Sequence, residues 1–175
     1  MISYLQKPLN LILSGSSWVS SLMNPGWTAV RGMPVSVSTE LTNFCNLKCP
    51  ECNSGSDCMT RQRGYMDISL FRKVIDELRP YLYNVNLYFQ GEPMMHPLFF
   101  AFIDHCKGIH STVSTNGHFL SPENSEKIAA SGLNLLIVSL DGADQGSYSK
   151  YRIGGSFDRV IDGLKSVSEC RKLNK

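Results

Sequence analysis

Residues 45–52 read Cys45-Asn-Leu-Lys-Cys49-Pro-Glu-Cys52, directly after a strand-like run that ends near Leu41. The spacing is C-x₃-C-x₂-C, which places three thiols within eight residues. Three thiolates can hold three irons of a cubane cluster and leave the fourth iron open. The stretch therefore predicts an iron–sulfur site with one position free for chemistry. A zinc site that uses Cys58 as a fourth thiolate is the alternative.

The composition is that of a globular protein. The 175 residues are 42% apolar and 18% charged, which is sufficient for one domain with a sizeable core. A net charge of +2 is too small to favour nucleic acid or an anionic membrane surface as a partner. The other three cysteines (Cys58, Cys106 and Cys170) are scattered along the chain. One tight trio plus three scattered cysteines is not the pattern of a disulfide framework, and it favours metal binding in a reducing compartment. We therefore expect a cytoplasmic protein.

The apolar stretch from Leu9 to Met23 is interrupted by five serines and a glycine. It is too short and too polar to span a membrane, which takes about 20 apolar residues, and it lacks a convincing secretory signal. The prolines and glycines of residues 24–34 indicate a loop after it. We predict residues 1–33 as an N-terminal extension, a surface helix outside a main domain of residues 34–175. Peripheral membrane contact is the less favoured interpretation.

Strand-like and helix-like stretches alternate over the rest of the chain. Strands are predicted at residues 35–41, 85–89, 111–115 and 133–139, and the helices between and after them begin near residues 67, 97, 121 and 157. Asp67 and Ser121 are predicted as the N-caps of two of these helices. The last strand is continuously apolar, as expected for a strand covered on both faces. Such alternation predicts parallel strands with helical crossovers, in a doubly wound sheet or part of a (β/α) barrel. No G-x-G-x-x-G follows the first strand, so dinucleotide binding is not supported.

Each predicted strand ends in a polar or unusual cluster. The first leads into the cysteine loop, and the others lead into Gly91-Glu92-Pro93, Ser114-Thr115-Asn116-Gly117 and Ser139-Leu-Asp141-Gly142. In parallel α/β architectures, the carboxyl ends of the strands lie on one side, where sites form. The four clusters are therefore predicted to meet at one rim.

The residues of these clusters suit a small ligand with an amine and a carboxylate. Gly91 allows close backbone approach, and Glu92 can accept a charge-assisted hydrogen bond from an ammonium group. Asn116 and Ser139 are candidate partners for a carboxylate or a ribose hydroxyl. Arg152 could pair with a carboxylate bidentately.

These motifs together resemble the radical S-adenosylmethionine (SAM) superfamily. The resemblance covers roughly residues 34–165 and rests on the cysteine trio, GEP, STNG and SLDG, each after its strand. The phrases Glu40-Leu-Thr-Asn-Phe-Cys and Phe89-Gln-Gly-Glu-Pro resemble the peptide-maturase and sulfatase-maturase branch, which carries a SPASM domain. The implied fold is a partial (β/α) TIM-like barrel of about four βα units.

The resemblance implies specific cofactors and roles. Cys45, Cys49 and Cys52 would ligate a [4Fe–4S] cluster whose open iron binds the amino and carboxylate groups of SAM. Reductive cleavage of SAM would give a 5′-deoxyadenosyl radical that abstracts hydrogen from a substrate, in that branch a peptide. Glu92 and Arg152 would contact the SAM ammonium and carboxylate, with a reductant such as flavodoxin or ferredoxin as the electron source. The alternatives are another branch acting on a cofactor or nucleotide precursor, and a non-catalytic zinc protein.

The sequence departs from the family pattern in three places. Glu51 stands where an aromatic residue often precedes the third cysteine, and Gln90 replaces the first glycine of Gly-Gly-Glu-Pro. The sequence ends at Lys175, whereas the family barrel has about six βα units. We therefore expect a truncated barrel with an unpaired strand edge, unstable or inactive alone unless a partner supplies the missing strands.

Overall fold

Four short parallel strands lie side by side in chain order in the computed structural model, which describes residues 3–26 and 29–173. The strands are β1 (Ser36–Ser38), β2 (Asn84–Asn86), β3 (His110–Thr115) and β4 (Leu135–Val138). Every neighbouring pair is parallel. Because the order 1-2-3-4 never reverses, the sheet is part of a (β/α) barrel and not a doubly wound sheet. The predicted α/β class and partial TIM-like barrel are confirmed.

Helices connect and flank these strands. They are α1 (Ser3–Met23), α2 (Ile68–Leu78), α3 (Phe99–His105), α4 (Pro122–Ala130), α5 (Gln145–Tyr151) and α6 (Phe157–Leu173), with a 3₁₀ turn at Pro93–Met95. Two predicted N-caps are present. Asp67 Oδ1 accepts from Leu70 N at 2.8 Å to begin α2, and Ser121 Oγ accepts from Asn124 N at 3.2 Å to begin α4.

Helix α5 was not predicted from the sequence. It begins at a capping box in which Asp144 Oδ1 accepts from Ser147 N at 2.7 Å and Ser147 Oγ accepts from Asp144 N at 3.2 Å. A serine in place of the usual Glu or Gln at the third helical position made this signal weak. The helix buries Tyr148 completely and leads directly into Arg152. It therefore places a residue of the predicted site.

The hydrophobic core is formed between the sheet and its helices. Val85 of β2 and Val113 of β3 are fully buried against Phe71 of α2 and Phe102 of α3, whose rings meet edge to face at 4.7 Å. Ile128 of α4 belongs to the same cluster. This packing holds the strands in one register and fixes the positions of the loops at their carboxyl ends.

Strand β4 differs from the prediction. The expectation that it is covered on both faces is wrong, since Leu135 is 44% and Ile137 is 40% exposed. The alternate residues Leu136 and Val138 pack against the core. The physical reason is that helices cover one face of β4, where the core includes Ile128 of α4 and Val167 of α6, whereas the described residues leave the opposite face partly open to solvent.

Helix α1 covers the early apolar stretch and extends it at the amino end. It is 21 residues long. In the described part of the chain, no helix is both long enough and apolar enough to cross a membrane. The polar side of α1 is held by the chain segment at residues 31–33, whose backbone forms hydrogen bonds with the side chains of Asn10 and Ser17.

Candidate functional site

A cavity of about 160 Å³ opens at the carboxyl ends of the four strands. Its walls contain every residue that the sequence predicted for the site, namely Cys45, Cys49, Cys52, Gly91, Glu92, Asn116, Ser139 and Arg152. These residues come from five separate segments of the chain. The parallel topology brings them together, as the rule for strand ends predicts.

The cysteine loop is folded by its own backbone. Cys52 N donates to Cys49 O at 3.2 Å, and Gly55 N donates to Cys52 O at 2.9 Å, so the chain turns around the second and third cysteines. Gly55 is required by close approach, because a Cβ there would lie 2.5 Å from Cys49 N. Lys48 N donates to Ile153 O at 2.9 Å and ties the loop to the segment after α5. The three thiols therefore face one cavity from a fixed turn.

N–H groups lie close to two of the three sulfur atoms. Leu47 N lies 3.5 Å and Asn116 Nδ2 lies 3.8 Å from Cys45 Sγ, and Arg152 Nη1 lies 3.7 Å from Cys49 Sγ. Burial raises the pKa of the Cys45 thiol, while the hydrogen bonds from Leu47 and Asn116 oppose that rise. Donors of this kind stabilise thiolate sulfur and shift the reduction potential of iron–sulfur clusters.

Glu92 is buried at the wall of the cavity, with only 1% of its surface exposed. Its Oε1 accepts from Thr115 Oγ1 at 2.7 Å and from Met94 N at 3.0 Å, and its Oε2 accepts from Asn116 N at 2.7 Å. Burial raises the pKa of Glu92, and these three hydrogen bonds work against the rise. A carboxylate offers about four acceptor positions, so one position on Oε2 remains for a ligand.

Gly91 joins the β2 end of the rim to the cysteine loop. Its φ is +75°, and a Cβ would lie 2.4 Å from Thr42 O and 2.6 Å from Phe44 O. Gly91 N donates to Ser54 Oγ at 3.0 Å, and Glu92 N donates to Phe44 O at 2.7 Å. The absent side chain thus allows close approach to protein backbone, and a contact between Gly91 and a ligand stays a prediction.

Arg152 reaches the cavity from the end of α5. Its Nε and Nη2 both donate to Asp141 Oδ2, at 2.6 and 2.5 Å, which leaves Nη1 directed at the cysteine loop. Ser139 follows β4, and its N donates to Thr115 O at 2.9 Å, continuing the β3–β4 pairing to the rim. Asp141 thus orients the arginine, a role that the sequence did not reveal.

Two other contributors were missed by sequence reasoning. Thr115 was quoted as part of STNG but was given no role, yet it binds Glu92 in a fully buried pair. Ser54 binds both Gly91 N and Gln90 Oε1, the latter at 3.3 Å, so Gln90 links the β2 loop to the cysteine loop. Glu51 is exposed and does not line the cavity. Residue identity alone gives no signal for such contacts between distant segments.

The zinc alternative finds no support in this geometry. Cys58 is exposed, its Sγ lies 3.6 Å from Ser56 O, and it does not line the cavity. Within residues 3–26 and 29–173, no three His, Cys, Asp or Glu side chains are grouped to hold a single metal ion. A cubane cluster has no such requirement, because each cysteine binds a different iron.

A family comparison agrees with this arrangement. The sequence model of the Radical SAM superfamily matches residues 39–172, which is most of the chain. The chain belongs to the radical SAM superfamily. Its family uses a [4Fe–4S] cluster and SAM as cofactors. The groups around the cavity fit both, since they include three thiols, two of them with N–H donors to sulfur, and a carboxylate with one acceptor position left.

Individual relatives include enzymes of different branches. The chain is 34% identical over 143 residues to mycofactocin maturase MftC of Mycobacterium tuberculosis, covering 79% of this chain and 36% of that protein. It is 30% identical over 145 residues to an AdoMet-dependent heme synthase of Methanosarcina barkeri, covering 81% of this chain and 41% of that protein. The chain thus spans about two fifths or less of the length of these relatives.

Solved structures of radical SAM enzymes share the fold. Streptococcus suis SuiB bound to the precursor peptide SuiA superposes with a TM-score of 0.66 at 20% identity, covering 79% of this chain and 31% of SuiB. The enzyme anSMEcpe with bound AdoMet gives a TM-score of 0.66 at 18% identity, covering 79% and 42%. At these identities the likeness concerns the barrel fold.

Proposed function

We propose that this chain carries the cluster-binding and SAM-binding part of a radical SAM enzyme. Residues 34–175 form the N-terminal part of the core domain in this proposal, and residues 1–33 form an extension. When bound, the [4Fe–4S] cluster supplies an electron that cleaves SAM to methionine and a 5′-deoxyadenosyl radical, which abstracts hydrogen from the substrate. The observation that carries the proposal is the single cavity shared by the three cysteines and residues of the other three strand-end clusters.

The roles of the residues follow from their places around this cavity. Cys45, Cys49 and Cys52 hold the cluster. Glu92 accepts a hydrogen bond from the ammonium group of SAM with its remaining Oε2 position, next to the thiol of Cys45. Arg152 donates toward the sulfur of Cys49 and the carboxylate of SAM, and Asp141 keeps its guanidinium in place.

Asn116 and Ser139 complete the SAM contacts in this proposal. The amide of Asn116 already bridges the rim, since its Nδ2 donates to Asn46 Oδ1 at 2.8 Å and approaches Cys45 Sγ. Ser139 stands at the end of β4 and faces the ribose or the methionine part. Gly91 positions Glu92, because the absence of a Cβ lets the chain pass directly against Thr42 O and Phe44 O of the cysteine loop.

The decisive experiment is anaerobic reconstitution with iron and sulfide, followed by electron paramagnetic resonance of the reduced protein with and without SAM. We expect about four irons per chain and a spectrum that changes when SAM is added. With a strong reductant, 5′-deoxyadenosine should be released. Uptake of zinc without iron or sulfide would overturn the proposal.

Glu92→Gln tests the SAM contact separately from the cluster. A charge-assisted hydrogen bond contributes about 1.5–3 kcal/mol, so the SAM dissociation constant should rise by roughly 10- to 100-fold while iron is retained. Glu123→Gln is the matched control, because Glu123 is an exposed carboxylate at the start of α4. Loss of iron in Glu92→Gln would contradict the assigned role.

For the substrate we propose a peptide. The maturase relative and the motif phrases around Cys45 and Gly91 support this class, and the SuiB structure shows a protein of the same fold holding a precursor peptide. The second candidate is a cofactor precursor, which the heme synthase relative supports. Substrate-dependent consumption of SAM, measured with candidate peptides and with porphyrins, distinguishes the two.

The electron donor and the compartment complete the proposal. A one-electron carrier of the flavodoxin or ferredoxin class would reduce the cluster. The three thiols must remain reduced until iron binds them, which is the condition of the cytoplasm. Turnover with such a carrier as the only reductant tests this part.

A further inference from the structure

Helix α1 presents its apolar side to the outside. Eight large apolar side chains of this helix are exposed, among them Ile12 at 68%, Trp18 at 65% and Leu22 at 63%. At 100° per residue, the eight fall within about one half of the helix circumference. Surface helices normally turn such a face toward the core. The orientation of α1 is the reverse.

Specific hydrogen bonds on the opposite side fix this orientation. Asn10 is 4% exposed, and its side chain makes two bonds to the backbone of Met33, with Nδ2 donating to O at 3.0 Å and Oδ1 accepting from N at 2.7 Å. Ser17 Oγ accepts from Arg31 N at 2.9 Å. At Gly32 a Cβ would meet Ser14 Oγ at 2.1 Å, so the backbone lies directly against the helix. The polar side of α1 is therefore the docked side.

The charge around this face suits a phospholipid surface. Residues 1–39 contain Lys7 and Arg31 but no Asp or Glu. Lys7 and Trp18 lie within about 20° of each other around the helix axis by the same 100° spacing, about three turns apart, at the border between the polar and apolar halves of the helix. Trp and Lys at such a border are typical of helices that lie in a membrane interface.

We propose that helix α1 binds the surface of a phospholipid membrane, lying in the interface plane with its apolar half among the acyl chains. The face carries no charged side chain and almost no hydrogen-bonding group that would specify a protein partner. The anionic headgroups of a cytoplasmic leaflet would attract Lys7 at the border of this face. This inference is independent of the proposed enzymatic function, because it uses no residue of the cluster cavity.

Vesicle flotation of the whole chain tests the proposal. The test compares vesicles of phosphatidylcholine alone with vesicles of phosphatidylcholine mixed with phosphatidylglycerol. The protein should float with both, more strongly with the anionic mixture. A double variant, Ile12→Asp with Val19→Asp, should reduce the floating fraction at least tenfold on both. The matched control, Leu70→Asp with Leu173→Asp, adds the same charges at two other exposed leucines and should float like the parent chain.

Fluorescence gives a second readout that locates the helix. The chain has two tryptophans, so a Trp27→Phe background isolates Trp18. Its emission should shift to shorter wavelength on vesicles and be quenched by brominated lipids. Absence of flotation on both vesicle types overturns the proposal, as does binding to anionic vesicles that salt abolishes completely. A dimer in solution that the Ile12→Asp, Val19→Asp variant dissociates would assign the face to a second copy instead.

Discussion

The strand-end rim and helix α1 depart from ordinary burial in opposite directions. At the rim, Glu92 is enclosed almost completely and three donors satisfy it. On α1, large apolar side chains remain outside while Asn10 is enclosed. In both regions, hydrogen bonds between distant segments hold the enclosed polar side chains in place. The difference lies in what is left facing outward: acceptors and thiols at the rim, hydrocarbon on the helix.

The largest effect should come from the cysteine trio. Cys45→Ala removes a sulfur that lines the cavity, so we expect loss of the iron–sulfur chromophore and of 5′-deoxyadenosine release. Cys58→Ala is the matched control, because that thiol is exposed and away from the cavity. Iron and sulfide analysis after reconstitution measures both. Equal iron content in the two variants would refute the assignment of the ligands.

Gly91→Ala should destabilise the rim by at least about 3 kcal/mol. The reason is a clash with backbone oxygens at 2.4 and 2.6 Å added to a positive φ, which alone costs a non-glycine residue about 1–2 kcal/mol. Gly108→Ala isolates the cost of the positive φ, because φ at Gly108 is +83° and nothing lies within 4 Å of its Cβ position. Urea unfolding of both variants gives the comparison. Similar losses would show that the close approach at Gly91 is not important.

Cys106, a buried thiol outside both regions, predicts how the stability of the chain depends on pH. Burial raises the pKa of Cys106 from 9.0 to about 12. Between these values the folded chain keeps a proton that the unfolded chain loses, so stability should fall as pH rises above about 9, by about 1.4 kcal/mol per pH unit. Below that range this contribution is constant. The difference in unfolding free energy between the parent chain and Cys106→Ala should shrink with the same slope, and a parallel pH profile would contradict it.

The smallest effects distinguish the two sides of α1. Asn10→Ala removes two hydrogen bonds to Met33 and leaves backbone groups unpaired, so it should cost about 1–3 kcal/mol. Ile12→Ser should change stability by less than about 0.5 kcal/mol, because the side chain is exposed. Thermal unfolding of the two variants measures both changes in stability. A larger loss for Ile12→Ser would mean that the apolar side is the docked side.

Much of the site could be predicted from the sequence because its residues are fixed by strand ends. Once the strands are parallel, Cys45, Glu92, Asn116 and Ser139 must lie at one rim, whatever packs beneath them. The bonds that hold them were not predictable. Thr115 to Glu92, Ser54 to Gly91 and Asp141 to Arg152 join segments whose distance depends on loop conformation, and no local pattern encodes that distance.

The sequence by itself determined the alternation of strands and helices, the two N-caps and the cysteine spacing, because periodicity and capping act within a few residues. The tertiary structure decided which side of each element is covered. It left Leu135 and Ile137 of β4 exposed despite an apolar run, and it turned the apolar side of α1 outward. Burial depends on what packs against an element, and the element's own residues do not specify that partner.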